Sequence, residues 1–178
     1  MTQRIDPLRD AEPLIRRVYA YVAYRIGDGA DAEDVTSTTF ERAVRYRASY
    51  RGRRGEPIAW LLGIADRCIV DLLAERKAPG DRSEHLADPA DAHANSLVRV
   101  DLQRAVAELS PRDRELVALR YGADLTAREI ARLVGASTNA TEVALHRALR
   151  RLRDRLEPPE PTARQALVPT LDLESRST

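Results

Sequence analysis

The sequence predicts an all-α protein of two small helical domains joined by a flexible linker, the C-terminal domain containing a helix-turn-helix. Three observations carry that expectation. Helix-favouring Ala, Leu, Arg and Glu dominate, while aromatic residues make up only 4% of the chain. Two blocks of apolar residues at helical spacing flank residues 78–95, APGDRSEHLADPADAHAN, which show no apolar periodicity. The second block also reads as a capped short helix, a glycine turn and a longer basic helix.

The elements follow in order. Leu14, Ile15, Val18, Tyr21 and Val22 stripe a first helix, which Gly27-Asp28-Gly29 stops. Asp31 suits the N-cap of a second helix, with Glu33 and Asp34 in its acid-favouring first turn. That helix runs through Val35, Phe40, Ala43 and Val44 into the arginine-rich loop RYRASYRGRRGE. Pro57 opens the third helix. Its apolar stripe is Ile58, Leu61, Leu62, Ala65, Cys68, Ile69, Leu72 and Leu73; Trp60, Gly63, Asp66, Arg67 and Asp71 lie off it.

The second block predicts four helices. Val98, Leu102, Ala105, Val106 and Leu109 stripe the first. Ser110-Pro111 caps the second, which holds Leu116, Val117 and Leu119 and ends near Gly122. Thr126 to Glu129 forms the capping box T-x-x-E of a short helix carrying Ile130, Leu133 and Val134. Gly135 suits a left-handed turn, and the last helix starts near Thr138 or Asn139 and reaches about Leu156. The expected organisation is a first domain over 1–77, a linker over 78–97, a second domain over 98–156 and a disordered, proline-containing tail over 157–178.

Composition and charge narrow the function. The formal net charge is only +1, but it is unevenly spread. Residues 1–77 carry +2 and residues 98–156 carry +4, offset by −3 over the linker and −2 over the tail. Every basic residue except Lys77 is arginine, the residue suited to forked contacts with phosphate and guanine. No apolar run approaches a membrane span, and the charged N-terminus lacks the core of a secretory signal; the expectation is a cytoplasmic protein without membrane contact. Cys68 is the lone cysteine and lies on an apolar stripe, so it reads as an inert buried thiol. Asp31, Glu33 and Asp34 diverge from one helix start, with no companion His and no phosphate-cradling glycine loop; they read as capping or surface acids. No catalytic residue, metal site or cofactor is expected.

Helical phase divides the last helix. Leu145, Leu149, Leu152 and Leu156 share one face, flanked by Thr141 and Ala148. Asn139, Ala140, Val143, Arg147 and Arg150 occupy the opposite face, with His146 at its edge and Glu142 nearby. That face suits a DNA major groove: Asn139 for adenine, Val143 for the thymine methyl, Glu142 for cytosine N4, and Arg147 or Arg150 for guanine or phosphate. Plainer readings stand beside these. Asn139 can equally be the N-cap with Glu142 as its capping-box partner, Val143 can pack on a neighbour, and the five arginines between 147 and 155 can be a solvated face.

Three stretches, in this order and with a linker between the second and third, resemble the extracytoplasmic-function group of bacterial RNA polymerase sigma factors. GDGADAEDVTSTTFERAV resembles the group's core-polymerase-binding segment. PIAWLLGIADRCIVDLLAERK resembles its promoter-melting and −10 segment. LQRAVAELSPRDRELVALRYGADLTAREIARLVGAS followed by HRALRRLRDRL resembles its −35-binding domain. The resemblance implies docking on core RNA polymerase through Asp31, Glu33, Asp34, Thr38, Thr39, Phe40 and Arg42. It implies that Trp60, Asp66, Arg67 and Asp71 lie at or near the −10 face of promoter DNA, and that the last helix enters the −35 major groove. It also makes an anti-sigma protein a candidate partner.

The chain departs from the group's pattern in three places. Leu72, Leu73, Ala74, Glu75, Arg76 and Lys77 replace an unbroken basic run, and Asp66 stands where Asn is usual. In the last helix, Asn139, Ala140, Thr141, Glu142, Val143 and Ala144 replace Gly-Thr-Val-Lys-Ser-Arg, with two positive charges lost and one negative gained. A changed −35 preference and weaker nonspecific affinity follow. The competing expectations are a stand-alone helix-turn-helix regulator, which leaves the first block unexplained, and an interaction protein that kept the fold and lost promoter reading.

Overall fold

The computed structural model describes residues 6–52, 56–77 and 96–157. Among the described residues the chain is helical, with no strand. The first block holds α1 (Ala11–Ile26), α2 (Ala30–Tyr46), a 3₁₀ turn (Arg47–Ser49) and α3 (Pro57–Lys77). The second holds α4 (Ser96–Ala107), α5 (Pro111–Val117), a π turn (Ala118–Gly122), α6 (Ala127–Val134) and α7 (Thr138–Leu156). The expected linker and tail fall largely outside the described residues, as does part of the arginine-rich loop. At its C-terminal edge the expected linker gives way to helix, because α4 already begins at Ser96.

In the first block, α1, α2 and α3 pack on one another around Val18, Tyr21, Val22, Ala32, Val35, Ala43, Ile58, Leu61, Leu62, Ala65, Cys68 and Ile69. The sequence stripes predict this core well, since each fully buried Leu, Ile or Val contributes about 1.5–3 kcal/mol relative to exposure. Their edges drift: Ile15 and Leu73 lie on the surface, and Leu72 is half-buried. The cap of α2 also differs from expectation. Gly29 is the N-cap, its φ of 118° lying in the glycine-favouring region, and Asp31 stands in the first turn. The Asp28 carboxylate accepts from the Gly29 N–H instead. Gly27 ends α1 as expected, at φ 100°.

In the second block Ser110 caps α5, its hydroxyl accepting from the Asp113 N–H at 3.2 Å, with Pro111 in the first turn. The helix then widens by one residue: the Ala123 N–H reaches the Ala118 carbonyl, five residues back, at 2.9 Å. Arg114 fastens α5 to the end of α4, donating to the carbonyls of Val106, Ala107 and Leu109. A cation suits that helix C-terminus, where unpaired carbonyls collect.

The two blocks also pack against each other, which no sequence stripe indicates. α1 lies along the π turn and touches α4 and α5. Leu116, Ala118, Leu119, Ala123, Leu125, Ile130 and Leu145 join the first block's buried residues in one continuous apolar cluster. Ala105, Val106, Leu109, Val117, Ala148 and Leu152 form a second, smaller one.

Candidate nucleic-acid interface

The DNA-reading candidate is built from its caps outward. In α6 the Thr126 hydroxyl accepts from the Glu129 N–H at 3.3 Å, and the Glu129 carboxylate accepts from the Thr126 N–H at 2.7 Å. Donation from the Thr126 hydroxyl and N–H holds the Glu129 carboxyl below its ordinary range. Gly135 closes α6 in the left-handed conformation, φ 69° and ψ 32°, and turns the chain into α7. Ser137, not Asn139, caps α7: its hydroxyl accepts from the Ala140 N–H at 3.2 Å. Asn139 is therefore released from capping and stands exposed in the first turn, and the capping box suggested for Asn139 and Glu142 is absent.

The buried face of α7 is Thr141, Leu145, Ala148 and Leu152, with Leu149 half-buried and Leu156 exposed. Opposite it, Asn139, Ala140, Glu142, Val143, His146, Arg147 and Arg150 are all exposed. Val143 is 43% exposed, so packing on a neighbour does not occupy it.

The run of arginines divides by partner. Arg151 donates from one nitrogen to both oxygens of Asp113, at 3.1 and 2.9 Å, tying α7 to α5. Arg155 pairs with Glu108 at 3.5 Å and bonds the Glu108 carbonyl. Arg147 and Arg150 form no ion pair among the described residues. Arg147 also lines an open groove with Arg112 and Val143, between the start of α5 and α7. Arg112 is an exposed cation that the sequence reading passed over; its signal was a position in the first turn of a helix, just after a Ser-Pro cap.

The candidates of the first block fall into two groups. On α2, Glu33 and Asp34 are exposed, Thr38 is half-buried, and Phe40 is half-buried against the core. Thr39 is a correction: it is 0% exposed, its hydroxyl donates to the Val35 carbonyl at 2.7 Å, and it offers no surface to a partner. Asp31 pairs with Arg76, and Arg42 pairs with Asp71 at 2.9 Å. One expected polymerase contact thus holds one expected −10 residue.

On α3, Trp60, Gly63, Arg67 and Asp71 share a face at intervals of three and four residues. Asp66 departs from it by about 120° of helical rotation. It turns toward α1, where Arg25 pairs with it at 3.1 Å. Trp60 is half-buried and meets the Tyr50 ring at 5.5 Å and 55°. Tyr50 comes from the end of the 3₁₀ turn, a contact between residues ten apart that no periodicity announces. Among the described residues no group of three His, Cys, Asp or Glu side chains can hold a metal ion. No described helix is long and apolar enough to cross a membrane.

Residues 11–78 match the family model described as Sigma-70 region 2, and residues 99–152 match that of Sigma-70, region 4. The ECF RNA polymerase sigma factor SigD of Mycobacterium tuberculosis is 34% identical over 169 residues, covering 85% of this chain and 77% of that protein. The ECF RNA polymerase sigma factor BldN of Streptomyces coelicolor is 34% identical over 143 residues, 76% of this chain; the matched region is 54% of that protein's length. The crystallised complex of sigma factor RpoE with the anti-sigma factor NepR from Bartonella quintana shares the fold, at a TM-score of 0.64 and 21% identity, covering 83% of this chain and 94% of that one. The order of the two matched regions and the 34% identity to a relative matched over 77% of its length lead to one assignment: the chain belongs to the extracytoplasmic-function group of RNA polymerase sigma factors.

Proposed function

We propose that this chain directs core RNA polymerase to promoters by reading −35 DNA with α7 and −10 DNA with the Trp60 face of α3, acting as a cytoplasmic specificity subunit and not as an enzyme. The observation that carries the reading is the unpaired, exposed pair Arg147 and Arg150 beside Asn139 and Val143, on a helix held rigidly by the Arg151–Asp113 tie. Charge without a protein partner is available to phosphate, while Asn139 and Val143 offer base-edge chemistry. Glu142 on the same face repels backbone phosphate and favours a cytosine amino group, so the −35 preference differs from that of relatives with a basic residue there.

On the first block the polymerase-docking surface is Glu33, Asp34, Thr38 and Phe40, with Asp31 and Arg42 at its margins. Trp60, Arg67 and Asp71 supply the −10 face. A half-buried aromatic beside the Tyr50 ring can stack on an unpaired base, an interaction worth about 1–3 kcal/mol. Each contact is individually modest, and tethering both to one polymerase raises their effective concentration. An anti-sigma protein is proposed as a further partner, on the precedent of the RpoE–NepR complex.

Run-off transcription with purified core polymerase tests the reading. The chain is expected to start RNA at defined sites only when core is present. Arg147→Ala should lower that output about ten-fold or more while leaving core binding intact. Tight promoter-specific binding without core supports a stand-alone regulator instead, and loss of core binding in Arg147→Ala contradicts the division of labour.

A further inference from the structure

A cleft opens where the C-terminal half of α1, the end of α3 and the C-terminal half of α4 face one another. Its volume is about 410 Å³, within the roughly 300–1,000 Å³ usual for clefts that take up a ligand. Tyr24, Leu73, Leu102 and Val106 belong to its apolar wall. The stripes of α3 and α4 place Leu73 and Leu102 in the core, yet neither is fully covered. Leu73 is 41% exposed, and Leu102 and Tyr24 are half-buried. Apolar surface gathered in a concave space marks a place where something docks.

The cleft is also cationic. Arg25, Arg76 and Arg114 line it, and Asp28 is the acid among them. The Asp28 carboxylate accepts from the Tyr19 hydroxyl and the Gly29 N–H. Asp66 neutralises Arg25, and Asp31 neutralises Arg76. Arg114 differs from both. Its guanidinium donates to the carbonyls of Arg25, Val106, Ala107 and Leu109, and it forms no ion pair among the described residues. Neutral carbonyls hold a cation in place without cancelling its charge, which an acid would do. An apolar segment with acids beside it suits this wall.

The chain itself holds such a segment. Residues 158–178 lie outside the described residues, and neither matched family region reaches them. Within them Leu167, Val168, Leu171 and Leu173 fall inside seven positions, with Asp172 and Glu174 beside them. Residues 78–95, by comparison, hold one large apolar residue, Leu86. The tail also starts in a suitable place. Arg155, near the end of α7, pairs with Glu108 and bonds its carbonyl, so the tail departs close to Ala107 of the cleft wall. Leu102 lies about 7.5 Å further along α4. The ten residues from Glu157 to Leu167 reach up to roughly 33–36 Å, several times that distance. Such a tether holds the segment near the cleft at roughly millimolar effective concentration.

We propose that residues 166–173, ALVPTLDL, seat their leucines in the cleft between α1, α3 and α4, with Asp172 and Glu174 toward Arg114, so that the tail covers the apolar wall of its own chain. The inference goes beyond the promoter reading and does not depend on it. Two features without a role, an open apolar cleft and an apolar run in a charged tail, account for each other. A partner that brings an apolar segment to this cleft then competes with the tethered tail.

Amide exchange and cysteine cross-linking in the full chain test this docking. Exchange over residues 166–173 should run about ten-fold or more slower than in an isolated peptide of the same sequence. Leu73→Asp, at an exposed position, should remove about ten-fold of that protection, as should Leu167→Ser combined with Leu171→Ser. Asp172→Asn combined with Glu174→Gln should remove about two- to three-fold. Thr170→Cys paired with Gln103→Cys in the cleft should close a disulfide within one chain faster than Thr170→Cys paired with Glu41→Cys, which lies outside the cleft; Cys68 is buried and stays free. Peptide-like exchange over residues 166–173 in the parent chain overturns the proposal, as do equal closure rates for the two pairs. Cross-linked dimers in place of monomers give the segment to a second copy and also overturn it. Should Leu73→Asp lose its helical circular dichroism, the tail variants decide, because they leave every described helix untouched; protection that survives the paired leucine changes then counts against the docking.

Discussion

The charged candidates of the first block and those of α7 are organised in opposite ways. In the first block three of the candidate acids are neutralised by arginines from neighbouring helices: Arg42 holds Asp71, Arg76 holds Asp31 and Arg25 holds Asp66. On α7 the pairing is confined to Arg151 and Arg155, near its C-terminal end, and Arg147 and Arg150 just before them stay bare. The contrast teaches that equal numbers of arginines in a sequence do not mean equal electrostatic reach. The first block offers a near-neutral surface with an aromatic pair, suited to shape and stacking; α7 offers uncompensated charge, suited to duplex phosphate.

The largest expected effect breaks the comparison at its base. Ile130 is fully buried beneath the helix-turn-helix. Ile130→Ala should cost about 2–5 kcal/mol, lower the melting temperature and abolish −35 duplex binding while core binding through α2 persists. An unshifted calorimetric melt would contradict the core assignment.

The charge contrast itself is sharpened by salt. Removing both Arg147 and Arg150 should weaken −35 duplex binding and flatten its dependence on salt, by about two units of slope if both arginines meet phosphate. Arg42→Ala, taken from a paired site, should leave the salt slope of promoter engagement nearly unchanged. A titration series from low to moderate salt reads both, and equal slope changes would erase the distinction drawn between the blocks.

The smallest expected effect concerns the cap of α6, which has no counterpart at the glycine-capped α2. Thr126→Ala should destabilise the second block by about 1 kcal/mol near neutral pH. The folded Glu129 carboxyl lies below its ordinary range, so its contribution is complete above the unfolded pKa of about 4.3 and is lost as pH falls through the folded value. Thr126→Ala should therefore reduce the acid sensitivity of the second block. A chemical-denaturation series across mildly acid pH in which the variant loses as much stability as the parent would remove this role from the capping pair.

What was legible in the sequence was local. The capping box at Thr126, the turn at Gly135, the Ser110-Pro111 start and the stripe of α3 all follow from residues within a few positions of one another. Competition between near neighbours blurred the caps: Ser137 outcompetes Asn139, and Gly29 outcompetes Asp31, because the backbone enters each helix one or two residues earlier than side-chain preference suggests. The division of the arginine run was not legible, since Asp113 lies 38 residues from Arg151 and Glu108 lies 47 from Arg155. Thr39 entered the docking set through resemblance alone; Glu33 and Asp34 on the same helix are exposed, while helical phase turns Thr39 into the core. The packing of the blocks on each other left no trace in periodicity, because Gly122 contributes by what it lacks.

The π turn at Ala118–Gly122 adds one consequence. It is the last turn of the helix that starts at Pro111, and beyond it the chain is not helical until Ala127. Deleting one residue there would remove the bond from the Ala123 N–H to the Ala118 carbonyl, five residues back, and shorten the path from α5 to α6. The wide turn thus decides where the chain leaves α5 for the helix-turn-helix, as a keyway fixes a wheel on its shaft.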